Sequence, residues 1–233
     1  TIISGNKVDG STIGGGGIYN NGSLSMVNCS LAGNYAGNGK AALRTGASGV
    51  TTMVNSLVWG NLAPNIDNAG TLNVSYSGME DGLAGITGAG TVNDGGGNLS
   101  FSGTETMFVL PKSEYYAPTT TGDYHLTTNS PAIDQGSNTE ATNAGLTTDF
   151  EGDDRILGGT VDLGADEEAT CPGDGDDDGD GICNSVDPCP IPDDGSDTDS
   201  DGVPDACDNC PYPANADQVD SEGPFAALGS VAG

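Results

Sequence analysis

The stretch 24-LSMVNCSLAGN-34 returns as 51-TTMVNSLVWGN-61: Met26-Val27-Asn28 becomes Met53-Val54-Asn55 and Gly33-Asn34 becomes Gly60-Asn61, 27 residues on in both cases. Ile3-Ser4-Gly5-Asn6 matches Leu31-Ala32-Gly33-Asn34 at a spacing of 28, and 18-IYNNGSL-24 has a counterpart in 66-IDNAGTL-72. A repeat of this length, made of short β-favouring bursts cut by Gly and Asn, marks a solenoid. The bursts Leu24 to Asn28 and Thr51 to Asn55 are too short, and too rich in Val, Thr and Asn, for helices. Stacked coils place equivalent residues about 4.8 Å apart, so Val27 is expected under Val54 and Asn28 beside Asn55 in an asparagine ladder. Gly and Asn serve the corners because they tolerate positive φ. The expected fold is all-β, a right-handed parallel β-helix over residues 1–168. An antiparallel sandwich also uses short strands and turns, but it leaves the recurrence of the sequence itself unexplained.

Beyond the clear repeats, 80–97 loosens into a Gly-rich stretch and 115–121 reads as a loop between late coils. Tyr124 to Leu126, Ala132 to Asp134 and Val161 to Leu163 are expected as strands that close the carboxyl end, where a β-helix exposes unpaired backbone groups. At the other end Thr1 to Asn6 already matches the second half of a repeat. This leads us to expect either preceding coils or another chain stacked there.

Composition divides the chain near residue 165. Its 233 residues include 34 Asp and Glu against 5 Lys and Arg, and none of the basic residues follows Arg155. Such a balance argues against nucleic acid as a partner. No run of eighteen apolar residues suggests a membrane span, and the chain neither begins with Met nor shows a signal peptide, which reads as a mature product or a fragment. Five of the six cysteines crowd the acidic end, as in small core-poor modules of oxidising compartments.

Within that end, acidic residues fall at alternate positions and stop at a glycine, twice. Taking Asp176 as position 1, Asp176, Asp178, Asp180, Gly181, Asn184 and Asp187 occupy positions 1, 3, 5, 6, 9 and 12; Asp197, Asp199, Asp201, Gly202, Asp205 and Asp208 repeat the spacing. A hard divalent cation needs six to eight oxygens, and a twelve-residue loop curls around it only with a turn at position 6, while the position-7 carbonyls of Ile182 and Val203 supply one oxygen each. Calcium is the expected ion. Position 12 is Asp rather than Glu and no helical pattern flanks either loop, so these are not EF-hands. Without cations the segment repels itself. A disordered acidic linker is the plain alternative, but it does not place Gly and Cys in register twice.

The stretches 176-DDDGDGICNSVDPCP-190 and 197-DTDSDGVPDACDNCPYPANADQ-218 resemble thrombospondin type 3 repeats. The resemblance implies calcium binding over 169–222 and disulfides Cys171–Cys183 and Cys189–Cys207, leaving Cys210 for a repeat that does not follow. Residues 223–233 are expected as a separate tail, disordered or used in assembly. The stretches 14-GGGGIYNNGSLSMVNCSLAGN-34, 54-VNSLVWGN-61, 123-DYHLTTNSPAIDQGSN-138 and 160-TVDLGADE-167 resemble pectate lyase-like β-helix proteins of bacterial surfaces. That resemblance implies a secreted, extracellular or cell-surface protein of bacterial origin. A fold alone does not assign an activity.

Relatives of that fold include polysaccharide lyases and hydrolases. A lyase uses a basic residue beside carboxylate-held calcium, yet only Lys40 and Arg44 fall in the regular coils, with no acidic cluster evident beside them. A hydrolase pairs carboxylates, for which Asp67 and Glu80-Asp81 are the candidates. His125, Cys29, Trp59, Tyr115 and Tyr116 read as packing or surface residues. The expectation is therefore a non-catalytic binding or adhesion module on a calcium-stabilised spacer, with an extracellular glycan or surface protein as partner. A filament built by stacking or strand exchange, and a polysaccharide lyase or hydrolase, are the alternatives.

Overall fold

The structure, a computed structural model, describes residues 1–9, 14–37, 41–62, 64–157, 159–168, 198–200, 203, 205, 207–210, 212 and 214–216. The chain divides into two units, Thr1–Thr170 and Cys171–Gly233.

The first unit is a parallel β-solenoid of about three turns. Strands β1 (Ile2–Ser4) and β2 (Lys7–Val8) lead into a turn of β3 (Ile18–Asn20), β4 (Ser23–Val27) and β5 (Ser30–Ala32), followed by the short β6 (Tyr35–Ala36). The second turn is β7 (Leu43–Thr45), β8 (Val50–Val54) and β9 (Leu57–Trp59); the third is β10 (Ile66–Asn68), β11 (Thr71–Ser75) and β12 (Gly78–Glu80). Strands β13 (Thr91–Asp94) and β14 (Leu99–Phe101) begin a fourth. Three stacks result: a five-stranded sheet β1-β5-β9-β12-β14, a three-stranded sheet β3-β7-β10 and a four-stranded sheet β4-β8-β11-β13.

The register is the one the repeat dictates, with Met26 on Met53 and Val27 on Val54. Two refinements follow from it. The likeness of 18-IYNNGSL-24 to 66-IDNAGTL-72 spans two turns, because Leu43-Arg44-Thr45 lies between them in the sheet. The period also shortens: Ser30 pairs with Leu57, 27 residues on, but Leu57 pairs with Gly78 and Gly78 with Leu99, 21 on. The Gly-rich stretch is thus a shorter coil rather than a break, with Thr87 bridging to Asp67.

Alternate residues of each strand face opposite sides. Inside, Leu31, Val58 and Met79 stack from the five-stranded sheet, Ile18, Leu43 and Ile66 from the three-stranded one, and Met26, Met53 and Val74 from the four-stranded one. Each of these that is fully buried, which Ile18 at the edge of the stack is not, contributes about 1.5–3 kcal/mol. Corner residues Asn28 and Asn55 adopt φ of 46° and 48°, and Asn55 Nδ2 donates to Asn28 Oδ1 at 3.2 Å. A second ladder runs Asn6–Asn34–Asn61, in which Asn34 Oδ1 accepts from Asn6 Nδ2 at 2.9 Å and Asn34 Nδ2 donates to Asn61 Oδ1 at 3.0 Å.

The segment after β14 departs from expectation. It does not close the carboxyl end. Tyr124 to Leu126 falls in β16 (Asp123–Leu126), antiparallel to β15 (Phe108–Leu110), while Ala132 to Asp134 and Val161 to Leu163 are not strands. The segment lies along the side of the solenoid because the five-stranded sheet is apolar outside as well as inside. Ala32, Leu57 and Phe101, with Ile2, Trp59 and Leu99 at their edge, pack against Met107, Phe108, Tyr124, Leu126, Ala132 and Leu163. Residues 112–119 run back to the first coils, not between late ones. A Cβ on Gly5 would meet Thr119 O at 2.1 Å, and one on Gly33 would meet Lys112 O at 2.5 Å. Both glycines also have positive φ, 62° and 64°, so these corners admit no side chain. One short helix, α1 (Asn138–Asn143), capped by Ser137, completes the flank.

Candidate functional site

Of the expected calcium ligands, Asp176, Asp178, Asp180, Ile182, Asn184, Asp187, Asp197 and Asp201 lie outside the described residues, as do Cys171, Cys183 and Cys189. Asp199, Val203, Asp205 and Asp208 are described, and all four are half-buried. Asp205, at loop position 9, folds back on position 2: Thr198 N donates to Asp205 Oδ1 at 2.8 Å and Thr198 Oγ1 to Oδ2 at 2.6 Å. Between them Ser200 takes φ 62°, and Cys210 N donates to Asp208 Oδ1 at 2.8 Å. Cys207 is disulfide-bonded, whereas Cys210 and Cys29 carry thiols.

These residues fit calcium. The donors are all carboxylate or carbonyl oxygens, the hard set that calcium prefers. Three half-buried carboxylates sit in a segment whose sequence holds no Lys or Arg, so no cationic side chain of that segment can neutralise them. Asp199, Asp205, Asp208 and the Val203 carbonyl would hold the ion; its role there is charge neutralisation and cross-linking of the loop.

On the solenoid, sequence reasoning missed a pair. Arg44 Nε lies 3.1 Å from Asp67 Oδ2, because the two are register partners on adjacent coils, and Arg44 also lies over the Tyr19 ring. Separated by 23 residues in sequence, they meet only through the shortened coil. Glu80 is used structurally, accepting from Gly60 N at 2.6 Å and Asn65 Nδ2 at 2.8 Å. Cys29 stacks on Ser56, whose Oγ accepts from Cys29 N at 3.2 Å, and burial raises its thiol pKa. Trp59 packs edge-on to Phe108, while Tyr115 and Tyr116 are exposed.

The flank holds the charges that sequence reasoning did not assemble. Arg155, 2% exposed, donates to Ala165 O, Asp166 O and Glu167 Oε2. Asp162 accepts from Asp134 N at 2.6 Å and Glu168 N at 2.8 Å. Burial and the neighbouring Glu167 nevertheless push its pKa up to about 8, against the pull of those N–H groups. His125, on β16, contacts Asp123 through Nδ1 and Glu151 Oε2 through Nε2 at 2.6 Å. These two carboxylates outweigh the burial of the ring and raise its pKa to about 9.

Residues 195–218 match the family of the thrombospondin type 3 repeat, a calcium-binding module of extracellular proteins. The match covers the second of the two acidic loops. No curated protein and no solved structure matches the chain. Among the described residues no helix is long and apolar enough to cross a membrane. The chain is a parallel β-solenoid followed by a thrombospondin type 3 repeat.

Proposed function

We propose that this is a non-catalytic, secreted binding protein in which calcium, held by the acidic loops, stiffens a spacer that carries the β-solenoid as a recognition module. The observation that carries this reading is the type 3 match over 195–218, together with the closure of Asp205 onto Thr198 inside it. The finer ligand set is Asp197, Asp199, Asp201, Val203, Asp205 and Asp208 in that loop, with Asp176, Asp178, Asp180, Ile182, Asn184 and Asp187 in the other. The absence of catalysis is supported by the engagement of Arg44 with Asp67 and of Glu80 with backbone and amide donors.

The outer face of the four-stranded sheet supports the recognition role. Its two solvent-facing rows are Ser23–Val50–Thr71–Thr91 and Ser25–Thr52–Asn73–Asn93, with Asn93 Nδ2 donating to Asn73 Oδ1 at 2.8 Å. Two rows without charge, on a chain of net charge −29, suit an uncharged extracellular glycan or a neutral protein surface. Calorimetric titration of calcium into the chain tests the spacer: heat that disappears in a D199N/D208N double variant supports it, and no heat in the wild type removes it.

A second reading is favoured by the edge of β13. All four of its residues are exposed, and among the described residues no strand pairs with its outer edge. An open edge accepts another strand, so a second copy stacked there would build a filament. Electron microscopy with and without chelator tests this: monomers in both conditions exclude it.

A further inference from the structure

The three elements of the flank that meet at His125 place an imidazole among carboxylates in a pattern the binding role does not use. Strand β16 points Asp123 and His125 to the same side, as residues two apart must. The 147–155 loop brings Glu151, and the turn that holds Arg155 brings Asp166. One ligand atom from each of His125, Glu151 and Asp166 lies within 4.8 Å of the others. Asp166 is 3% exposed and accepts Leu126 N–H at 2.6 Å. The side chains of His125 and Glu151 are 37% and 45% exposed, so the cluster is backed by protein and open on one side. Phe150 covers the imidazole with ring centroids 5.2 Å apart.

Two features point to a cation rather than to a surface ion pair. The first is the division of labour around His125. Asp123 engages Nδ1 and leaves Nε2 aimed at Glu151, which is the carboxylate–histidine arrangement that orients a metal-ligating imidazole and fixes its tautomer. The second is charge. Asp123, Glu151 and Asp166, with Asp149 near enough to act on Asp166, surround a single imidazole. The nearest guanidinium, Arg155, is spent on Ala165 O, Asp166 O and Glu167. A proton on His125 leaves this group well short of neutral, and a dication on the neutral ring supplies one charge more.

We propose that His125 Nε2, Glu151 and Asp166 form a site for one divalent transition-metal cation of the zinc class, with Asp123 as the positioning residue. The mixed nitrogen and oxygen donors separate it from the all-oxygen loops of the second unit, since imidazole favours zinc-like ions and calcium takes oxygen. Three protein ligands leave a coordination position for water. The cation would tie β16 to the 147–155 loop and to Asp166, and so clip the flank at its most acidic point. The proton is its competitor.

The probe is zinc alone, titrated by calorimetry into the full chain in saturating calcium, so that the acidic loops are already filled. One equivalent is expected to bind, with affinity lowered at least tenfold in both His125→Gln and Glu151→Gln. Those half-exposed positions allow folding without the cluster, which far-ultraviolet circular dichroism and Trp59 emission verify. Cobalt in place of zinc should give visible d–d bands in the wild type that are absent from His125→Gln. No zinc binding in calcium, or equal binding by wild type and His125→Gln, overturns the proposal and leaves a proton-bridged Asp123–His125–Glu151 trio only.

Discussion

Phe108→Ala is the substitution that most sharply tests the lateral flank. Phe108 is 1% exposed and stands edge-on to Trp59, with centroids 6.0 Å apart at 77°, and to Tyr124, 5.5 Å apart at 76°. Truncating a buried Phe to Ala costs about 3–5 kcal/mol. Of that, each edge-to-face pair accounts for about 0.5–1.5 kcal/mol. Against a domain stability of about 5–15 kcal/mol, the loss is enough to loosen the flank while the solenoid, whose inner stack does not include Phe108, keeps its strands. The reporter is built in: Trp59 is the only tryptophan, it belongs to the solenoid, and its indole packs against a flank residue. In Phe108→Ala its emission should shift to the red and its urea transition should move to lower denaturant, with the far-ultraviolet β signal retained before that transition. Val109→Ala, at 55% exposure, should change stability by no more than about 0.5 kcal/mol. Unchanged Trp59 emission together with a loss below about 1 kcal/mol in Phe108→Ala would refute the lateral packing.

Further outcomes follow from the same contacts. Asn34 is fully buried and engages Asn6, Ile3 O, Ala32 O and Asn61, so Asn34→Ala should cost about 2–3 kcal/mol in urea unfolding, because it strands buried partners. Arg155→Met leaves Glu167 and two carbonyls facing one another and should cost about 3–5 kcal/mol, read by the same transition. Burial and the neighbouring Glu167 raise the folded pKa of Asp162 to about 8 from its ordinary value of 3.8. Between those values the folded state holds a proton that the unfolded state releases, so flank stability should fall as pH rises from about 4 to about 8. Trp59-detected unfolding across that range should show the slope, and Asp162→Asn should flatten it.

The solenoid was legible because its repeat lies in sequence as well as in pattern: Met26-Val27-Asn28 and Met53-Val54-Asn55 occupy one register, and asparagine takes the positive-φ corner in both of those coils. The flank was not, although a signal existed. Leu57-Val58-Trp59 is apolar at three consecutive positions, which marks a strand buried on both faces, and a β-helix strand apolar on its outer face needs a cover. Reading 124–126, 132–134 and 161–163 as further strands assigned that cover to the end of the stack. The charged groups were hidden for a different reason. Arg44 meets Asp67 through a coil shortened to a spacing no repeat announces, and His125, Glu151 and Asp166 converge from a strand and two separate irregular segments. The acidic loops, by contrast, are local: twelve residues carry their own ligands, turn and spacing, and no long-range contact is needed to recognise them.

The claim on which the rest depends is that cation binding, not packing of an apolar core, orders the acidic segment. Hydrogen exchange of the full chain with calcium and with chelator measures it most directly. The account predicts that amides of 174–216 are slowed by calcium and released by chelator while those of the solenoid strands stay unchanged. Equal exchange of 174–216 in both conditions would contradict it.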